Sequence, residues 1–400
     1  MALEVLNENP IVYVLIAWVV TVAGAKACGL DRRGFSLKPY SLVYRNESVN
    51  AVLVRLLSRT RRAVRVFADA SVVAGFVMMA FAFWFLASNV AAYFEEPAEF
   101  AEVTVLIPGV TLTSGPAIAF FLLSIPIVLV MHEGAHGIVA ALERIRIKNG
   151  GFAVFIAVFA GFVEPDEKEF ESAKRVSRLR VIGAGATANV AFSLALGAVL
   201  LTNPVFAIVL PEPILGAFYE SPGGVGVLSV MEGLGAERAG VMAGDMITGV
   251  NGVDVRSFVD LLGAGLEPGD VADVRILRGG EEMSLEVEIM PSPTDPDVGL
   301  VGIMRDSTSA FKPIHGYIAW DNPHVSMFLL WLWMISFFIG IINMLPLPIL
   351  DGGKFVHILL SARLSGPRLN AAMWGIYGAT FALFALNIGL SYVKSGWFTI

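Results

Sequence analysis

The sequence predicts an α-helical polytopic membrane protein of about six transmembrane helices with a membrane-embedded β-hairpin, joined to a small β-rich domain. Three observations predict it. The 400 residues are 56% hydrophobic and only 16% charged, where a soluble domain carries roughly a quarter charged residues. Six apolar runs are long enough to cross a bilayer. Residues 220–292 interrupt them with short alternating segments and glycine turns.

The six runs lie near 10–28, 67–91, 116–140, 181–201, 325–345 and 371–393, and the mean hydropathy of the chain is +0.71. The first follows Glu4 and Glu8 with no basic residues, which predicts a retained anchor rather than a cleaved signal. Cys28 is the single cysteine, so no internal disulfide forms, and it reads as a small apolar residue near a helix end. Segment 31–65 holds nine basic residues against two acids, and 352–370 holds three against none. Segment 141–180 holds eight against six, while 92–116 holds four glutamates and no basic residue. The excess of basic residues places 31–65, 141–180 and 352–370 on the cytoplasmic side and both termini outside. A juxtamembrane position accounts for the basic 31–65 run, so no nucleic-acid partner is expected.

Residues 150–163, GGFAVFIAVFAGFV, are apolar, β-branched and aromatic, but too short to span as a helix. They predict an embedded hairpin or re-entrant loop, which at membrane depth must be covered by protein or line a wet cavity. Residues 101–115 are also strand-like. Segment 220–292 contains AGVMAGDMITGVNG, a helical stretch at 257–265, and the alternating Ser284–Ile289. This string resembles the core of PDZ domains, with Gly224–Val227 as the candidate carboxylate-binding loop. In that family a strand edge captures peptide ends. Residues 293–324 read as a linker back to the membrane. The expected divisions are therefore 1–115 (N-terminal helices with the basic segment), 116–201 (first half of a catalytic membrane core), 220–292, 293–324, and 325–400 (second half of the core).

Two motifs lie inside apolar runs. His132-Glu133-Gly134-Ala135-His136 puts both imidazoles on one helix face at i and i+4, within reach of one divalent ion. Glu133 is then placed to hold a water on that ion. Histidine is rare here, five in total, and ionisable residues within a span are functional by default. The second motif is Asn343-Met344-Leu345-Pro346-Leu347-Pro348-Ile349-Leu350-Asp351-Gly352-Gly353. Its prolines lack N–H groups and force their predecessors into extended backbone. The fifth helix should end near Leu345 and the next begin at Asp351–Gly353, exposing the Asp351 carboxylate at the depth of the histidines. Two histidines and an aspartate leave a coordination position open, the arrangement of a catalytic zinc site. Such a site within membrane spans points to hydrolysis of peptide bonds in the bilayer. His315, His324 and His357 are read as non-ligands.

With these motifs the chain resembles the site-2 protease family of intramembrane zinc metalloproteases. HEGAH matches its HExxH and NMLPLPILDGG its Asn-x-x-Pro-x-Pro-x-Leu-Asp-Gly. Ala184-Gly185-Ala186-Thr187-Ala188-Asn189 is similar to its Ala-Gly-Pro-x-x-Asn, departing at Ala186. The resemblance covers about 116–201 and 325–362. It implies zinc held by His132, His136 and Asp351, Glu133 as general base, and Asn343 and Asn189 as hydrogen-bonding partners of an unwound substrate. The implied partners are transmembrane protein substrates, the lipid bilayer and peptide termini at the PDZ-like domain. The other reading of the chain is a catalytically silent, PDZ-bearing membrane scaffold.

Overall fold

The computed structural model describes residues 10–95, 97, 100–156, 158–220, 223–231, 233–256, 260–261, 263–291, 299–306, 311–316 and 323–395. It comprises two units, one of residues 1–194 and 331–400, the other of residues 195–330.

The first unit is helical. Helix α1 (Pro10–Ala27) leads into a hairpin of β1 (Phe35–Lys38) and β2 (Ser41–Asn46). Trp18 tucks its ring against Leu42 and donates from Nε1 to the Pro39 carbonyl at 2.7 Å. Helix α2 runs from Val49 to Glu95, 47 residues. At ~1.5 Å per residue that is about 70 Å, over twice the hydrocarbon thickness. The Arg55–Arg65 end accounts for the excess length. Helix α3 (Gly115–Leu142) starts at Ser114, whose Oγ accepts from Ala117 N at 3.3 Å, a good N-cap followed by a proline in the first turn.

Strands β3 (Ile147–Phe155) and β4 (Val158–Pro165) form the hairpin expected at 150–163. It is larger than expected, because β2 pairs with β3, giving an antiparallel sheet in the order β1-β2-β3-β4. Phe35, Tyr44 and Phe152 form an aromatic row across it, with centroids 4.8 and 5.7 Å apart. The basic N-terminal segment thus extends the hairpin next to the HEGAH helix.

Helix α4 (Arg175–Leu200) is pinned at its start by ions. Arg180 pairs with Glu143 at 3.1 Å and with Asp69, and Ser177 donates to Glu143 at 2.5 Å. Helix α5 (Pro323–Asn343) stops two residues earlier than expected, and α6 (Asp351–Leu360) starts at Asp351 as expected. In the first turn of α6, Gly352 and Gly353 let the preceding segment pack back against the helix start. A Cβ at Gly352 would strike the backbone of Met344 and Leu345, and one at Gly353 that of Leu347. Helix α7 (Gly366–Ser395) closes the unit. Its Asn387 accepts from Asn89 of α2 at 2.9 Å, and Asn89 also clamps both backbone groups of Ala101 at 2.8 Å. The strand-like 101–115 segment is therefore tied down by side chains rather than paired as a strand. Among the described residues, five helices, α2, α3, α4, α5 and α7, are long and apolar enough to cross a membrane.

The second unit contains the β-rich domain. Strands β5 (Val225–Val230), β6 (Met246–Val250), β7 (Val271–Arg278), β8 (Glu281–Glu288) and β9 (Ile303–Asp306) form an antiparallel sheet in the order β8-β7-β6-β5-β9. Its core is Val225, Val227, Ile247, Val250, Val274, Ile276, Val287 and Ile289. Asn251 and Gly252, with φ of 50° and 80°, make the expected Asn-Gly turn. Asp245, 2% exposed, takes a two-pronged bond from Arg278 at 2.7 and 2.6 Å and a third from Met242 N. The guanidinium holds the Asp245 carboxyl below its ordinary range.

Two expectations change here. Residues 299–306, expected within the linker, contribute strands to the domain. The second concerns the candidate carboxylate-binding loop Gly224–Val227: Val225–Val227 belong to β5, which is paired with β6 and β9, while the sheet edges belong to β8 and β9. Of the expected helix at 257–265, residues 257–259 and 262 lie outside the described residues, as do 292–298, 307–310 and 317–322 of the linker.

Candidate metal centre

Helix α3 presents His132 and His136 on one face, and the helix break after Asn343 delivers Asp351 to the same point. The two Nε2 atoms are 3.1 Å apart, and Asp351 Oδ2 lies 3.1 Å from the first and 3.0 Å from the second. His132 is 5% and Asp351 6% exposed. Among the described residues, this trio brings its ligand atoms together in the manner of a metal site.

The donor chemistry suits a cation. His136 Nδ1 donates to the Val181 carbonyl at 2.7 Å, so in the neutral ring Nε2 carries the lone pair. In that state the lone pair faces a carboxylate oxygen at hydrogen-bond distance, an arrangement that a positive charge between them relieves. Ligands ~2.0–2.1 Å from a tetrahedral ion stand about 3.3 Å apart. The observed triangle, at 3.0–3.1 Å per side, is nearly that face of a tetrahedron, with a fourth position left for another group. Gly185 of α4 borders it. A Cβ there would run into both Nε2 atoms, so this space stays open only because position 185 is glycine. The residues fit a zinc ion.

Glu133 is not a corner of the triangle. Its Oε2 accepts from Val163 N of β4 at 2.9 Å. β4 comes so close to it that a Cβ at Gly161 would stand 2.8 Å from Glu133 Cγ. The hairpin therefore lies directly against the residue expected to act as base. Asn343 is half-buried, and its amide donates to Ile339 O at 3.0 Å, one turn back on α5.

Asn189 differs from expectation. It is expected to meet substrate; in the structure it is fully buried, with its amide nitrogen 3.2 Å from His132 Nδ1, behind the ligand. His357 is exposed, and neither it nor His315 or His324 joins the trio. Several contributors carried no side-chain signal: the Val181 carbonyl and the Val163 N–H are backbone groups. Gly185 lay inside the AGATAN string, but its role depends on a neighbour outside its own helix.

The profile of peptidase family M50 matches residues 120–386. A zinc metalloprotease RasP of Oceanobacillus iheyensis is 25% identical over 277 residues, covering 58% of this chain and 61% of that protein. A putative zinc metalloprotease of Agrobacterium fabrum is 23% identical over 256 residues, covering 50% and 64%. The chain thus spans about three-fifths of the length of these curated relatives. Among solved structures, the PDZ domain of an SdrC-like protein from Listeria monocytogenes shares 21% identity over 21% of this chain and 87% of that one, with a TM-score of 0.19.

Proposed function

The chain belongs to peptidase family M50, and from that premise we propose that it is an intramembrane zinc metalloendopeptidase, cleaving peptide bonds within transmembrane segments of other proteins in regulated intramembrane proteolysis. The observation that carries the reading is the triangle of His132 Nε2, His136 Nε2 and Asp351 Oδ2, assembled in apolar helices with one position open.

Zinc, when bound, supplies a Lewis acid that polarises the scissile carbonyl and acidifies water. Glu133 takes the proton from the attacking water and returns it to the leaving amine. The substrate must be unwound, because a helix hides its carbonyls, and its freed polar groups need partners in a dry site. β4 is the terminal strand of its sheet and runs beside Glu133, and Asn343 lies at the mouth of the helix break. Both suit an extended chain drawn alongside them. The substrates are membrane proteins. The β-rich domain acts on their parts outside the bilayer, either by admitting them selectively or by holding a peptide end. Strand addition in it has the free edge of β9 available, not β5.

Sidedness follows from charge. The Arg55–Arg65 end of α2 and the Lys354–Arg368 segment face the cytoplasm, so the metal lies toward that side and the β-rich domain outside. Cys28 is exposed and must be replaced first. Cysteines then introduced in 31–65 and 352–370 should label only from the cytoplasm, and those in 220–292 only from outside.

The test of activity is Glu133→Gln. Purified protein should hold about one zinc per chain, lost on chelation. The variant should keep that zinc and lose cleavage of a model transmembrane substrate, because an amide takes no proton. Substantial cleavage by the variant, or wild-type protein without zinc, sinks the reading.

A further inference from the structure

The AGATAN string of α4 has two residues on one face, one turn apart, both directed at the histidines: Gly185, which leaves space against the two Nε2 atoms, and Asn189, behind His132. Asn189 is 0% exposed, and among the described residues its Oδ1 has no hydrogen-bond partner, while its Nδ2 sits 3.2 Å from His132 Nδ1. That pairing conflicts with metal binding. If His132 Nε2 offers its lone pair to the ion, the ring proton is on Nδ1, and an N–H cannot bond an NH2 group. The two ends of an amide are assigned by their partners, not by their shape. Turning the Asn189 amide over gives its orphaned oxygen the ring proton and replaces a bond that ligation forbids with one that it requires.

We infer that Asn189 is a positioning residue for the metal: its Oδ1 accepts Nδ1–H of His132, as the Val181 carbonyl accepts Nδ1–H of His136. Both histidines are thereby held in the tautomer that ligates through Nε2. One is held by a side chain and the other by backbone, and both supports come from α4. Such outer partners fix ring orientation and raise ligand basicity, and their loss costs about 10–100-fold in metal affinity. A substrate contact would require an accessible amide, and Asn189 has none of its surface exposed. The inference rests on the metalloprotease reading.

The experiment uses the full chain in detergent. Zinc affinity is measured by chelator competition, the visible spectrum is recorded after cobalt substitution, and thermal unfolding of the metal-free protein serves as the check on folding. Asn189→Ala should weaken zinc by about 10–100-fold and perturb the cobalt spectrum while unfolding like the wild type. Asn189→Asp, whose carboxylate still accepts from Nδ1–H, should keep both affinity and spectrum. Unchanged zinc affinity in a folded Asn189→Ala variant overturns the inference, whatever happens to KM. Should the alanine variant not fold, Asn189→Asp decides alone: wild-type affinity and spectrum support the inference, and a tenfold loss overturns it. Wild-type protein that binds no zinc fails the metalloprotease reading itself, a result distinct from either variant outcome.

Discussion

Asp245 and Asp351 are both buried aspartates, 2% and 6% exposed, in different units of the chain. Asp245 is complete. Arg278 grips both its oxygens and Met242 N–H adds a third bond, so each oxygen has a donor and the charge has its cation. Asp351 is incomplete. Lys354 reaches one oxygen at 3.4 Å, while the other faces two imidazole nitrogens. In the neutral ring His136 presents a lone pair here rather than a proton, because its Nδ1–H is given to the Val181 carbonyl. A buried carboxylate supplied with its own cation is architecture, whereas one set among converging lone pairs is waiting for an ion from outside. The difference lies in the partners, not in burial.

Exchanging the two losses gives the largest effect. Asp351→Ala should abolish zinc binding and cleavage together, and Asp351→Asn should weaken zinc, since a neutral amide is a poor ligand. Asp245→Ala should leave zinc content unchanged. Metal analysis of the three purified variants checks this, and full zinc in Asp351→Ala would reduce that residue to a helix cap.

The next effect sharpens the contrast from the other partner. Arg278→Met leaves the Asp245 carboxylate without its cation, which should destabilise the β-rich domain. Denaturant unfolding followed by a probe in that domain reads it, with zinc stoichiometry as the control that should not move.

A smaller effect is in pH. The folded Asp245 carboxyl titrates below its ordinary value of 3.8. Its contribution to stability is therefore fully present above 3.8 and is lost as pH falls below that toward the lower folded value. The wild-type domain should lose stability over that interval more steeply than Asp245→Asn. Equal slopes would show that Arg278 contributes no pH-dependent stability through this carboxylate.

The subtlest outcome concerns selectivity. Because β9 belongs to the sheet, a clean excision runs over 223–306 rather than stopping at 291. Replacing that span with a flexible linker should keep zinc and should allow cleavage of substrates with bulky outer domains that the intact protein spares. Equal loss on bulky and trimmed substrates would favour a recruiting role for the domain instead.

What could be read in the sequence was local. The i, i+4 histidines, the two prolines before Asp351 and the Asn-Gly turn each declare themselves within a few residues, and the structure has them where they were expected. What could not be read was non-local or lacked a side chain. The pairing of Leu42 with Val154 joins strands over a hundred positions apart, and either strand alone gives no sign of its partner. The short strand Ile303–Asp306 lies in a Pro-, Asp- and Gly-rich stretch whose composition reads as linker. Val181 contributes a carbonyl that every residue has. Asn189 was legible as a polar residue in a span but not as the neighbour of His132, because that depends on how α4 is rotated against α3.

The pairing of β5 with β9 has one more consequence. Gly226 lies opposite Asp306, so the two ends of the β-rich domain stand side by side. A folded insert of this kind spans only a short gap, however many residues it contains. Loop-closure entropy grows so slowly that doubling the connection costs only about 0.6 kcal/mol. His136 and Asp351 are thus insulated from the length of chain between them. Evolution can enlarge, exchange or duplicate this cassette, and a protease can nick it at an exposed turn, without pulling the metal ligands apart.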